Sequence, residues 1–393
     1  MRPLAALTCL LLAGCALQAP PTSTASAAAG TSVPAATSAS AEPQPTATTD
    51  PIAPCLAMAG SLSLKARAGQ LVMVGVSGSL DASERSAITT TMAGSVILMG
   101  GTPGGVKGVA KLTASLRKLG GDTGMLVSAD QEGGLVQRLK GAGFATIPSA
   151  AKQARLSDAA LTKAATGWGT SLARAGVRLD LAPVADVVPA GNVAANRPIA
   201  RLGRGYGSDP AKVSAKVAAF RAGMKAAGVE SAVKHFPGLG AVKGNTDFTA
   251  TVVDTTTTAA SALLRPFHDA ATARTGAIMV SSATYRRIDA GNIAMFSPTV
   301  IGILRGWGYT GVVISDDLGA AAAVKKVPAK QRAYRLVAAG GDIALTVAPS
   351  LASSLTSGLI SHAKADQAFS RKMTAAVARV LQLKESLGLV TCG

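Results

Sequence analysis

The chain has 393 residues, 48% of them hydrophobic and only 3% aromatic, and a formal net charge of +18. So high an apolar content excludes a disordered chain and allows one large or two ordinary domains, with a core of Ala, Val, Leu and Ile instead of aromatic rings. The charge favours anionic surroundings such as phospholipid headgroups or anionic wall polymers; basic clusters with interleaved aromatics are absent, so no nucleic-acid partner is expected.

At the N-terminus, Met1-Arg2-Pro3 and the apolar run 4–13 have the charged start and short apolar core of a secretory signal, too short to span a membrane. The run ends in Leu12-Ala13-Gly14-Cys15, which resembles a bacterial lipobox, where cleavage before the cysteine leaves a lipid-modified N-terminus. Residues 1–14 therefore read as a lipoprotein signal peptide, and Cys15 as the lipidated residue. Residues 15–54 are mostly Ala, Thr, Ser and Pro without Lys or Arg. That composition cannot bury enough apolar surface to offset its ordering entropy and reads as a disordered tether. The expected location is extracytoplasmic, lipid-anchored to the cell membrane. Cys55 and Cys392 remain, one at each end of the folded part 55–393; in an exported protein they read as a disulfide, with two free thiols as the alternative.

After Cys55, short apolar runs alternate with segments rich in Ala, Lys and Leu at helical spacing. The runs 70–76, 94–100, 125–130, 177–184, 229–235, 277–282, 311–317 and 342–347 make eight candidate strands, and 153–175, 209–227 and 256–272 are among the helical segments between them. Eight alternations predict an α/β fold, a single (β/α)8 barrel, with a doubly wound sheet as the lesser choice. In a barrel, polar residues at the C-terminal ends of the strands converge on one mouth.

Those ends carry chemistry. The seventh run, Gly311-Val312-Val313-Ile314-Ser315-Asp316-Asp317-Leu318-Gly319, is a buried parallel strand that stops at two carboxylates. Successive strand side chains point to opposite faces, so one of Asp316 and Asp317 faces the interior and the other is scaffold. The third strand ends in Asp130-Gln131-Glu132-Gly133-Gly134, followed by Arg138. The fourth ends in Leu181-Ala182-Pro183-Val184-Ala185-Asp186, and its loop holds Asn196, Arg201 and Arg204. The fifth ends in Lys234-His235-Phe236-Pro237-Gly238, and its loop holds Asn245 and Asp247. Charged groups gathered this way suit a hydroxyl-rich substrate. With no His pair at ligand spacing and no Cys quartet, neither a metal nor a cofactor is expected.

These segments, in this order and together with Gln70-Leu71-Val72-Met73-Val74-Gly75, resemble family 3 of the glycoside hydrolases, and within it the single-domain bacterial β-N-acetylglucosaminidases that act on cell-wall fragments. The resemblance covers about 62–389. It implies a barrel, a retaining mechanism, and release of a nonreducing-end N-acetylglucosamine from a muropeptide or glycan. By the same match, Asp316 is the nucleophile, and Asp130, Arg138, Arg204, Lys234 and His235 line the sugar subsite.

One departure matters. In these relatives the loop after the fifth strand carries an Asp-Ser-His triplet whose histidine is the acid/base, and another histidine follows the Lys-His-Phe-Pro-Gly run. Here those positions read Asn245-Thr246-Asp247 and Leu239, while His268 and His362 fall in helical segments. Three readings follow. Asp247 is itself the acid, its pKa raised by a loop closing over Phe248 and the sugar; or turnover is slow and relies on good leaving groups or on phosphate as acceptor; or the chain is a catalytically impaired envelope lipoprotein that only binds wall-derived sugars. Ser282 ends the sixth strand where relatives often carry a histidine, so a contact supporting the site residues is expected to be lost there. Trp307 and Tyr309 are expected to pack in the core, and the protein to be a monomer.

Overall fold

The computed structural model of the chain describes residues 52–393 other than Thr275. The expected leader, Cys15 and the tether as far as residue 51 lie outside the described residues. Helix Ala53–Ser61 already contains Cys55, so helical structure begins two residues before that cysteine. Among the described residues no helix is long and apolar enough to cross a membrane.

Eight strands form the centre: β1 (Val72–Val76), β2 (Ser95–Leu98), β3 (Leu126–Ala129), β4 (Leu179–Asp180), β5 (Glu230–Phe236), β6 (Ala277–Val280), β7 (Val312–Ser315) and β8 (Ala344–Thr346). Each falls within or overlaps one of the eight apolar runs. Neighbours pair in parallel in chain order, and β8 returns to β1 with Ala344 opposite Val72. The seam between β7 and β8 is closed by the parallel bridge of Ile314 with Ile343, and Ser315 N–H donates to Ile343 O at 2.9 Å. The sheet is therefore a closed (β/α)8 barrel. Its strands can be apolar throughout because side chains fill one face and helices cover the other.

Local chemistry sets the helix ends. Ser157 accepts from Ala160 N–H and starts the helix Asp158–Arg174; Asp209 accepts from Ala211 N–H ahead of Pro210 and starts Pro210–Ala226. These two helices pack closely at Gly223, where a Cβ would lie 2.4 Å from Thr162 O. The expected helix 153–175 is thus two pieces, with a short turn Ala150–Gln153 ahead of the cap. The expected helix 256–272 is shorter still: α-helix is confined to Arg265–Thr272. Asp254 takes the N–H groups of Thr256 and Thr257, at 2.7 and 2.8 Å, and the hydroxyls of both, so local side-chain bonds displace helix there.

The disulfide Cys55–Cys392, with Cα atoms 4.8 Å apart and a sequence separation of 337, fastens helix Ala53–Ser61 to Cys392. In the chain-entropy account, closing so long a loop is worth on the order of 5 kcal/mol.

Beneath the barrel, opposite the mouth, Lys384 is fully buried in helix Gln367–Ser386. Its Nζ donates to Gln70 Oε1 at 2.6 Å, Gly124 O at 2.9 Å and Thr123 O at 3.1 Å. With no carboxylate partner among the described residues, burial pulls its pKa down to about 7. Between that value and the ordinary lysine value near 10.4, the unfolded chain holds the extra proton, so stability rises with pH through this window. Lys384→Met removes that slope. Thermal midpoints at pH 7, 8.5 and 10 are expected to show the variant gaining most, or losing least, against wild type at pH 7 and falling behind as pH rises; a difference constant across the three would refute this.

Candidate active site

The C-terminal ends of the strands open into one cavity of about 750 Å³, lined among others by Asp130, Glu132, Arg138, Arg204, Lys234, His235, Asp247 and Asp316. All seven residues singled out in the sequence for catalysis or sugar contact border this space.

One wall is formed by buried Glu132, a residue to which the amino-acid sequence alone gave no role. Arg204 grips it in bidentate fashion, Nε to Oε2 at 2.9 Å and Nη2 to Oε1 at 2.7 Å. Lys234 Nζ lies 2.7 Å from Glu132 Oε1 and 2.6 Å from Asp130 Oδ1. Burial would raise the Glu132 pKa, but the two cations outweigh it and hold the carboxyl far below the ordinary range. Burial likewise disfavours the Lys234 ammonium, yet Asp130 and Glu132 raise its pKa. Two negative and two positive groups are thus interlocked in a dry place. Arg138 stands apart, 43% exposed with Nε 4.0 Å from Asp130 Oδ2, and is the cation left open to a ligand. The signal for Glu132 was its spacing: Asp130 and Glu132, two apart on extended chain, share a face.

His235 follows Lys234 across a cis peptide bond, and both line the cavity. Asp186 holds its Nδ1 at 2.7 Å, which turns Nε2 toward Arg204 Nη2, 3.4 Å away. The other Asp186 oxygen accepts the N–H groups of His235 and Leu239 at 3.1 and 2.8 Å. Asn196 is also a brace: fully buried, it donates to the carbonyls of Leu239, Gly240 and Val242 and joins the loop after β4 to that after β5.

Asp316 sits just past β7. Its Oδ1 accepts Asp317 N–H at 2.8 Å, and Ser282 Oγ donates to Oδ2 at 3.2 Å. Ser282, where a supporting contact was expected to be lost, thus makes one of its own through its hydroxyl. Asp317 accepts from Gly319, Ala320, Ala321 and Val347 N–H and organises the loop, as scaffold. Trp307 packs edge-on against Phe236 and His268, and Tyr309 is buried with its hydroxyl on Val312 O; neither lines the cavity.

The loop after β5 is pinned twice. Its far end adds Val253–Asp254 to a three-stranded sheet with Thr284–Tyr285 and Asp289–Ile293, and near its tip Ala322 N–H and Ala323 N–H donate to the carbonyls of Asp247 and Thr246 at 3.1 and 3.2 Å. The Asp247 side chain thereby reaches the same cavity as Asp316. Desolvation there, then the charge of Asp316, raises the Asp247 pKa. Phe248 borders the cavity at its rim, 83% exposed, and is not packed over the carboxyl.

The chain matches the glycosyl hydrolase family 3 N-terminal domain over residues 63–383. It belongs to glycosyl hydrolase family 3. This family 3 chain is 30% identical over 297 residues to the beta-hexosaminidase LpqI of Mycobacterium tuberculosis, covering 73% of this chain and 74% of that protein. It is 33% identical over 290 residues to a beta-hexosaminidase of Alkalilimnicola ehrlichii, covering 70% and 79%. The crystal structure of a beta-N-acetylhexosaminidase from Beutenbergia cavernae superposes with a TM-score of 0.81 at 41% identity, over 83% of this chain and 99% of that one.

One carboxyl beneath the family 3 site is unusual. Asp180, at the end of β4, is fully buried; its Oδ1 accepts Gln131 N–H at 3.0 Å, and Oδ2 has no hydrogen-bond partner among the described residues. Burial above all, with Asp130 and Glu132 adding repulsion, lifts its pKa to about 8, against the pull of Gln131 N–H and Lys234. The folded value lies above the unfolded one, so its contribution to stability is complete below about pH 4 and is lost as pH rises through 8. Asp180→Asn is expected to flatten that loss: denaturant midpoints at pH 4.5, 6 and 8 should shift progressively in the variant's favour, and an equal shift at all three would refute the protonated carboxyl.

Proposed function

We propose that the protein is a retaining β-N-acetylglucosaminidase that releases nonreducing-end N-acetylglucosamine from peptidoglycan fragments, acting outside the cytoplasm from a lipid anchor at Cys15. The observation that carries this reading is the meeting of Asp316 and Asp247 in one cavity beside the charge-balanced group of Asp130, Glu132, Lys234 and Arg204. Similarity to hexosaminidases supports the sugar; the Cys15 motif and the basic charge support the location.

In this reading Asp316 attacks the anomeric carbon while the bond to the leaving oxygen breaks, and the Asp247 carboxyl gives that oxygen its proton. Water then gives a proton to Asp247 and its oxygen to the anomeric carbon, which frees Asp316. The raised Asp247 pKa suits the acid role, since a carboxyl must still hold its proton near the working pH. Ser282 Oγ and Asp317 N–H keep the nucleophile aimed. Arg138 and Asp130 offer a charged donor and acceptor to ring hydroxyls.

Incubation with a fluorinated N-acetylglucosaminyl trapping substrate is expected to add the sugar's mass to the peptide containing Asp316, and the adduct should vanish in Asp316→Asn. Sugar binding without any adduct would make the chain a binding protein instead. Asp247→Ala is expected to lose about 100-fold or more in kcat on substrates with poor leaving groups and little on dinitrophenyl glycosides. A variant equal to wild type on every substrate would remove Asp247 from the mechanism.

A further inference from the structure

Among the described residues five large apolar side chains are exposed, and three of them stand on loops at the barrel mouth. Leu135, after β3, is 74% exposed; Val193, after β4, 45%; and Phe248, after β5, 83%. Leu135 and Phe248 border the catalytic cavity itself. Single apolar groups are ordinary on a protein surface, but three on neighbouring loops of one face form a patch. These loops are tied to one another. Ala151 N–H donates to Gly203 O at 3.1 Å, joining the chain after β3 to the loop after β4. Asn192 Nδ2 donates to Val242 O at 3.1 Å, joining the loops after β4 and β5, and the bonds of Ala322 and Ala323 continue the run to the loop after β7. At the tip, Asn245 O accepts the N–H groups of Phe248 and Thr249 at 3.1 and 2.9 Å, so the backbone that carries the ring is fixed.

The same half of the rim, the loops after β3 to β7, carries Lys140, Arg197, Lys243, Arg286, Lys325 and Lys326. All six are exposed, and none makes an ion pair with a described residue. The carboxylates of these loops line the cavity or are bonded within the protein, Asp186 to His235, Asp254 to two threonines and Asp289 to Ser297. Apolar tips flanked by unpaired cations suit a partner that is apolar at one depth and anionic at another, which is the interface of an anionic bilayer. A hydrophilic polyanion would leave Leu135, Val193 and Phe248 without a role. Residues 16–51 separate the expected lipid at Cys15 from the folded part, and a coil of that length reaches roughly 35 Å, so the anchored reading puts headgroups close at hand.

We propose that this half of the mouth is a second membrane contact: Phe248, Leu135 and Val193 enter the headgroup layer of an anionic bilayer while the surrounding cations meet its phosphates. The assignment rests on reading the chain as a lipid-anchored protein outside the cytoplasm. The loops after β1, β2 and β8 carry none of the exposed large apolar side chains, so the contact is one-sided and leaves that half of the mouth as the entrance to Asp316.

The test uses the chain from residue 15 with Cys15→Ser, which cannot carry the lipid, and vesicles of phosphatidylcholine alone or with about one-third phosphatidylglycerol. This protein is expected to sediment with the anionic vesicles and not with the neutral ones. Phe248→Ser and Lys243→Gln/Lys325→Gln/Lys326→Gln, each added to it, should lose about tenfold or more in partition coefficient while turning over a soluble aryl N-acetylglucosaminide as before. With Phe248→Trp, tryptophan emission should move to shorter wavelength on anionic vesicles and be quenched by lipids brominated on the upper acyl chain. No sedimentation with anionic vesicles would overturn the contact while leaving the anchor, which fatty-acid labelling of Cys15 in cells reads separately. Binding left unchanged by Phe248→Ser, with no emission shift for Phe248→Trp, would make the cations a site for soluble polyanions and overturn it as well. Loss of turnover on the soluble glycoside in Phe248→Ser, with vesicle binding intact, would make the ring a substrate contact instead and sink the proposal.

Discussion

Glu132 is the group on which the site depends. Its carboxylate is buried, and alone it would be untenable there; the Arg204 fork and the Lys234 ammonium make it stable, and it in turn fixes both cations. Removing one partner from such a buried pair leaves an uncompensated charge, an effect of roughly 3–5 kcal/mol. The same pair joins β5 to the loops after β3 and β4, so the electrostatic cluster is also a mechanical joint at the barrel mouth. Asp130 is placed by its contact with Lys234 in this joint, whereas His235, its ring set by Asp186, only brings Nε2 to 3.4 Å from Arg204 Nη2.

Around that joint the side chains divide into those already committed to one another and those left open. Glu132, Lys234, Arg204, Asp186 and Asn196 have their polar atoms engaged within the protein. Arg138, Asp247 and the outer face of Asp316 border the cavity with fewer ties. This division is what a sugar site needs, because charged walls that are internally neutral can be desolvated by a ligand at little cost, while a few free groups read its hydroxyls.

The acid/base question turns on the loop after β5. It carries no histidine, yet its backbone is tied to the loop after β7 through Asp247 and Thr246, so the position that shares the cavity with Asp316 is held by main-chain bonds that do not depend on which side chain occupies it. A carboxyl at that position inherits both the reach and the environment that raise its pKa, chiefly desolvation and the neighbouring Asp316.

The eight strands were legible from the amino-acid sequence because a parallel strand covered on both faces is a continuous apolar run, whatever its neighbours. Asp316 and Lys234 were legible for a related reason: a charged residue ending such a run has only the mouth to occupy. Helix starts were read less well where Ser157 and Asp254 redirected the backbone through their own side chains. The pairings lay beyond the sequence. Glu132 and Arg204 are 72 residues apart, Asp186 and His235 are 49 apart, and Ser282 and Asp316 are 34 apart. Composition and pattern determined that the chain is a barrel with polar strand ends. Only the closing of the barrel decided which ends touch, because contact between groups on different strands is set by the curvature and register of the whole sheet and not by any local preference.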